Sequence, residues 1–383
     1  MNHFLYKKSD DVYIYIYFDF KNNSLSLKRY GKRGSRGTSS VLRTNVERNF
    51  SCSVDKSGNI HVAFSIINGG IHYGYFTDDT FHSFQILSGK SQMNYNKNFM
   101  ISAIFEPICI FYTIKHDNKI ILSMQNINGG ANSSSSPKAI DYLADTPTSL
   151  NFCENMGGNM FLTYTKKSDE KYMNVIREID RAGNTVKLYE YFPDANQPLY
   201  VDSFYFENDK NVRLLCRPQS NEHLYLITID EKISSEQIDI KSIQRNQNTF
   251  YGLFPIYNKL YLYTCTDGAL YSCTMRGGSR SVILEKRPRQ YNGNIYPIYC
   301  YVSEISPNIF TVPGNLISGH FFYLFNPFSD LKHAEEFLDI SEIINIEKRL
   351  STVEKYLSVI DKRFDQLENI KIPQDVVRPD FDT

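Results

Sequence analysis

The chain has 383 residues, with 42 Lys and Arg against 42 Asp and Glu, so its formal net charge is zero. That balance supplies no long-range field toward a phosphate backbone or an anionic membrane and argues against nucleic acid as a partner. Hydrophobic residues make up 42%, enough for a large core, and 28 Tyr with 26 Phe favour strands over helices. Trp is absent, which weakens lectin and propeller patterns built on a repeated Trp.

The opening MNHFLYKKSDD lacks a basic segment followed by an apolar core, and VYIYIYF at 12–18 is short and alternates like a strand. No signal peptide is therefore expected, and synthesis in the cytoplasm follows, with later incorporation into a surface or particle assembly as one destination. No run of about 18 apolar residues exists, so no membrane span is expected either. The seven cysteines (52, 109, 153, 216, 265, 273 and 300) form no C-x-x-C pair and sit among apolar strand residues. Small buried hydrophobes are the expectation, in preference to a disulfide set.

Residues 1–43 read as four strands, HFLYKK, VYIYIYFDF, NSLSLKRY and TSSVLR, broken by SDD, KNN and the glycine-rich GKRGSRG. Phe50–Leu87 repeats the unit as FSCSV, IHVAFSI, IHYGYF and FHSFQIL, with Asp, Gly and Asn supplying the turns. Ile60, Val62, Phe64 and Ile66 show the period-two alternation of a strand. Further copies begin near Phe99, 149, 201, 249 and 295, each with four strand-like runs. A period of roughly 46–52 residues with four strands per copy is the signature of a propeller blade. Seven copies predict an all-β, seven-bladed β-propeller over residues 1–340. The opening strand HFLYKK either belongs to the first blade or completes the last. A large β-sandwich or two smaller β domains is the alternative architecture.

The segment Ser53-Val54-Asp55-Lys56-Ser57-Gly58-Asn59-Ile60 resembles the Asp-box hairpin of sialidase-like propellers. Asp180-Arg181-Ala182-Gly183-Asn184-Thr185 comes close to it in a different turn of its own copy. The resemblance covers one hairpin, so it implies the fold and carries no catalytic residue across.

After Ile340 the period changes from two to seven. Ile343, Ile346, Leu350, Val353, Leu357, Ile360, Phe364 and Leu367 fall at alternating steps of three and four, a heptad seam over about three and a half repeats. An α-helical coiled coil is expected over 341–371, with Ser341 as N-cap and Pro373 ending the run. Residues 372–383 read as an extended or disordered tail. Acidic e positions (Glu347, Glu354, Asp361, Glu368) facing Arg349 and Arg363 at g favour parallel chains, and β-branched residues at d favour a homo-oligomer that is a trimer or tetramer. The alternative is a single helix lying back on its own propeller.

The chemistry-bearing residues are sparse. No H-x-H, H-E-x-x-H, G-x-S-x-G or Walker pattern occurs, so no metal, cofactor or catalytic residue is expected. His61 and His72 lie in neighbouring strands, where histidines are most often ordinary packed or surface residues. The clearest charge feature is basic: Lys28, Arg29, Lys32, Arg33 and Arg36 cluster at the third-to-fourth strand loop of copy one, and Arg276 and Arg280 occupy that loop in copy six. Both loops belong on one face of a propeller, where they would flank an anionic ligand such as a phosphate polymer or acidic glycan; a merely solvated loop is the alternative. The expected function is a non-enzymatic, multivalent binding or structural module recognising a surface glycan, polyanion or protein. A sialidase-like glycan hydrolase is the rival, and would need acids and arginines converging at the ring centre.

Overall fold

The computed structural model describes the chain between His3 and Asp339 except for connections between strands, the longest being 31–37, 90–96, 192–198, 241–248, 287–295, 303–309 and 326–336. Past Met275 the description is of strand backbone. Residues 340–383 lie outside the described part, and with them the heptad seam Ile343–Leu367 and the tail.

Four-strand meanders follow one another. The first comprises β1 (His3–Ser9), β2 (Val12–Asp19), β3 (Ser24–Tyr30) and β4 (Thr38–Arg43). Blade 2 holds β5 (Val46–Val54), β6 (Ile60–Ile66), β7 (Ile71–Thr77) and β8 (Thr80–Leu87). Blade 3 holds β9 (Phe99–Ser102), β10 (Ile108–His116), β11 (Lys119–Ile127) and β12 (Lys138–Leu143). Blade 4 holds β13 (Asn151–Glu154), β14 (Met160–Ser168), β15 (Lys171–Ile179) and β16 (Thr185–Tyr191). Blade 5 holds β17 (Leu199–Phe206), β18 (Val212–Pro218), β19 (Leu224–Ile229) and β20 (Ile233–Ile240). Blade 6 holds β21 (Phe250–Ile256), β22 (Lys259–Thr266) and β23 (Ala269–Met275). Two short strands, β24 (Ser281–Val282) and β25 (Glu285–Lys286), come next, and β26 (Tyr296–Val302), β27 (Phe310–Ile317), β28 (Phe321–Phe325) and β29 (Phe337–Asp339) close the series.

The sheets number six, which corrects the seven blades expected from the repeat. The first and last meanders are one eight-stranded sheet, blade 1, because β1 pairs in parallel with β26 from Phe4 opposite Tyr299 to Lys7 opposite Val302. The fold is a six-bladed β-propeller. A sequence period counts strand-turn units, whereas blade number depends on which strand edges share hydrogen bonds. The inner edge of β1 carries a row of backbone donors and acceptors that must find partners. It finds them in β26 while keeping β2 as its hairpin partner, so HFLYKK serves both the first and the last meander. The run SVILE is not one fourth strand: β24 adds in parallel to β20, and β25 pairs with β23.

Each described core cluster lies between neighbouring blades. Phe4, Ile16 and Leu25 meet Phe50, Val62 and Phe64 between blades 1 and 2. Ile71 and Tyr73 meet Ile101 and Tyr112 between blades 2 and 3, and Leu122 and Met124 meet Leu162 and Val175 between blades 3 and 4. The pattern continues with Phe161 against Leu214 and with Leu226 against Leu253. Inner strands are thus covered on both faces, which explains why β6 is buried almost throughout, whereas the outermost β16 is mostly exposed. Each fully buried Phe contributes about 1.5–3 kcal/mol. Cys52, Cys109, Cys153 and Cys216 are unpaired and buried in these interfaces.

The meander fixes where loops go. Turns after the first and third strands of a blade share one end of the ring, here the back, and turns after the second and fourth share the front.

Candidate functional site

The expected basic cluster falls largely outside what the structure describes. Lys32, Arg33, Arg36, Arg276 and Arg280 lie outside the described residues. Lys28 and Arg29 are half-buried in β3, and strand alternation sends them to opposite faces. Lys28 Nζ stands 5.8 Å from the ring centroid of Tyr17.

The described residues do build a polar cluster at the back, from elements of three blades. The turn after β5 closes with Asn59 N donating to Asp55 Oδ1 at 2.8 Å and Asn59 Nδ2 to Asp55 Oδ2 at 2.9 Å. The turn after β15 repeats it, with Asn184 donating to Asp180 at 2.7 and 3.0 Å. In both, glycine takes the left-handed conformation, φ 81° at Gly58 and 77° at Gly183. The second residue of each turn reaches one ring, Phe105 of blade 3. Lys56 Nζ lies 4.1 Å from its centroid and Arg181 Cζ 5.4 Å.

Arg181 is held by its surroundings on several sides. It donates to Gly158 O at 3.1 Å, Phe105 O at 3.2 Å and Pro107 O at 3.3 Å, and pairs with Glu154. Glu154 is 2% exposed and also accepts Ser102 Oγ at 2.6 Å. This acid–arginine pair is a clamp between blades 3 and 4. Sequence reasoning noticed the Asp180 turn but had no signal for Phe105 or Glu154, which come from other repeats.

Burial alone would raise the Asp55 carboxyl, but hydrogen bonds from His61 and Asn59 outweigh it and hold it down to about 2. His61 Nε2 is 3.2 Å from Asp55 Oδ2, and its Nδ1 is 2.7 Å from Tyr73 Oη.

The front end at blades 1 and 2 has a different character. Asp19 Oδ1 accepts Lys21 N at 2.9 Å and its Oδ2 accepts Asn22 Nδ2 at 2.8 Å, shaping the β2–β3 turn. That turn presents Phe20, 56% exposed, braced edge-on by Phe18 at 5.0 Å. Arg48 Cζ stands 5.2 Å from the Phe20 centroid. Asn23 O accepts Val46 N at 2.9 Å, and Asn45 O accepts Ile67 N at 2.8 Å, so the turns of both blades are tied to one crossover. Ile67 is also half exposed. Toward blade 3 the same face carries Glu47, which accepts Lys97 Nζ at 3.0 Å and Ser65 Oγ at 2.5 Å.

Within blade 2 lies His72 on β7, 6% exposed, its ring stacked on Phe64 at 5.5 Å and opposite Gln85 of β8. Neither of its ring nitrogens has a hydrogen-bond partner. Burial, and then the charge of Arg43, lower its pKa, so the imidazole is neutral near pH 7. Among the described residues no group of three or more His, Cys, Asp or Glu side chains is placed to hold a metal ion. No described helix is long and apolar enough to cross a membrane.

Fold and sites together define a propeller whose blades 3 and 4 are clamped at the back and whose blade 1 presents an exposed aromatic at the front. No family model matches the chain, and no curated protein matches it in sequence. Among solved structures it is similar to the SapL1 lectin in complex with α-methyl fucoside, at 10% identity and a TM-score of 0.45 over 72% of this chain and 93% of that one. It is also similar to the Aleuria aurantia lectin, described as a six-bladed β-propeller with a novel fucose recognition mode, at 12% identity and 0.44 over 75% and 94%. A prolyl endopeptidase structure aligns at 8% identity and 0.50, over 85% of this chain and 46% of its own. At such identities the likeness is one of chain path. The Asp-box resemblance gains no family match.

Proposed function

We propose that this propeller is a non-enzymatic carbohydrate-binding module whose front end at blades 1 and 2 receives a sugar. The observation that carries it is the exposed Phe20 ring, held by Phe18 and flanked by Arg48, Asp19 and Asn22. A pyranose has an apolar C–H face and a rim of hydroxyls. A fixed aromatic face with carboxylate, amide and guanidinium groups around it matches both parts. Glu154 and Arg181 favour binding over hydrolysis, because their pairing is used up inside a blade interface. The test is a glycan array followed by calorimetry on the full chain. Phe20→Ala should leave the melting temperature within a few degrees and weaken the best glycan at least tenfold. Unchanged affinity would remove the Phe20 surface as the site.

The heptad seam supports display of several propellers on one parallel coil, which raises avidity by roughly 10²–10⁴ when the sites can be engaged together. Light scattering should show a trimer or tetramer, and Leu357→Asp should give monomers; a monomeric wild-type chain at micromolar concentration refutes the coil.

A further inference from the structure

The chain is neutral as a whole, but the front of blades 1 and 2 is not. Among the described residues at that end, Lys21, Arg43, Arg48 and Lys97 are set against Asp19 and Glu47. Glu47 is engaged: its oxygens take Lys97 Nζ at 3.0 and 3.1 Å, and one also accepts Ser65 Oγ. Each oxygen of Asp19 already accepts a donor of its own turn, from Lys21 N or Asn22 Nδ2. The surplus at this corner is positive, and it is exposed at Lys21, Arg43 and Arg48. His3, at the same end of β1, registers it: burial first, and then neighbouring positive charge that includes Arg48, bring its pKa down to about 4.

Two of these cations belong to the Phe20 surface. Lys21 follows Phe20 in the same turn, and Arg48 reaches it from the next blade. A guanidinium lying flush on a ring would sit about 3.5–4.0 Å from it. Arg48 Cζ is 5.2 Å from the Phe20 centroid, so it stands by the ring without sealing it, and the ring stays more than half exposed.

We propose that the sugar received at Phe20 is an acidic one, a hexuronic acid, whose C–H face meets Phe20 and whose carboxylate meets the Arg48 guanidinium, with Lys21 adding charge. The proposal rests on the carbohydrate reading above and names the ligand class for it. A guanidinium presents its N–H groups in a planar fork that matches the two oxygens of a carboxylate. In a hexuronic acid that carboxylate is bonded directly to the pyranose ring, so the apolar face and the charge sit on one rigid frame. A neutral hexose offers the same face and only a hydroxyl to the fork. Both cations are exposed, so the gain is modest and weakens as salt screens it.

The test is ligand-detected NMR titration of the full chain with methyl glycosides of hexuronic acids. Each is compared with its neutral hexose parent, its methyl ester and the parent's 6-sulfate, at low and at high salt. At low salt at least one uronic acid should bind about fivefold more tightly than its parent and its ester, and high salt should shrink that preference. Arg48→Gln with Lys21→Gln should melt within a few degrees of wild type and bind acid and parent alike. Phe20→Ala should weaken both. A parent or ester that binds as tightly as every acid overturns the acidic ligand and spares the carbohydrate reading. A preference for the acid that survives the double substitution overturns Arg48 and Lys21 as its source. A 6-sulfate that binds more tightly than every uronic acid overturns the carboxylate. If no glycoside of either kind binds wild type, the carbohydrate reading falls, and the acidic ligand with it.

Discussion

The two Asp–x–x–Gly–Asn turns at the back of the ring form a natural pair. Their internal hydrogen bonds agree within about 0.1 Å and their glycines within a few degrees of φ. Their second residues nevertheless lead different lives. Lys56 is exposed and touches Phe105 from solvent, while Arg181 is mostly buried and spends its donors on three carbonyls and Glu154. Local chemistry therefore sets the shape of the turn, and the neighbouring blade decides whether the side chain it offers becomes surface or clamp.

The largest effect separating the two should come from Arg181→Ala. It strands the Glu154 carboxylate in a buried site and should cost about 3–5 kcal/mol by denaturant unfolding. Arg181→Lys should recover little, since an ammonium lacks the planar fork that spans Gly158, Phe105 and Pro107. A loss below about 1 kcal/mol would show that the clamp is decorative. Adding Glu154→Gln to Arg181→Ala should restore part of the loss.

A middling effect is expected at Asp55, whose Oδ2 also meets the part-buried His61. Asp55→Ala should cost about 1–3 kcal/mol. The folded carboxyl titrates near 2, below its unfolded value of about 3.9. Its contribution is therefore present above roughly pH 5 and is lost as pH falls through about 2. Asp55→Asn should flatten that part of the acid limb of the stability curve, and an unchanged acid limb would exclude Asp55 as its source. Asp180 is held down by Asn184 in the same direction and, being more exposed, should matter less.

Lys56→Ala should be the mildest change. An exposed cation over a ring contributes about 0.5–1 kcal/mol, and a loss as large as that of Arg181→Ala would erase the distinction between the two turns.

Much of this arrangement is legible in the amino-acid order. IHVAFSI, IHYGYFT and TFHSFQIL are strands within a residue or two of where alternation puts them, and Asp55, Gly58 and Asn59 mark their turn unaided. Blade number is only half legible: HFLYKK is open to completing the last blade, but nothing in it says that it meets YPIYCYV, some three hundred residues later, while keeping its own hairpin partner. The front surface escaped for the same reason. Phe20 looks like one more aromatic at the end of a strand, and its site depends on Arg48 arriving from the next blade. Sequence patterns report on neighbours in the chain, and these sites are made by neighbours across it.

The β1–β26 pairing has a consequence for how the protein is made. At about 5–20 residues per second, a ribosome needs roughly 15–60 s after β1 emerges before its partner at Tyr299–Val302 exists. Throughout that interval the inner edge of β1 is an open template. Synthesis at high local density invites a second nascent chain to fill it, and the product would be a strand-exchanged dimer whose rings are each closed by the other's late strand. A chaperone that shields one edge of one strand would suffice to keep the rings separate.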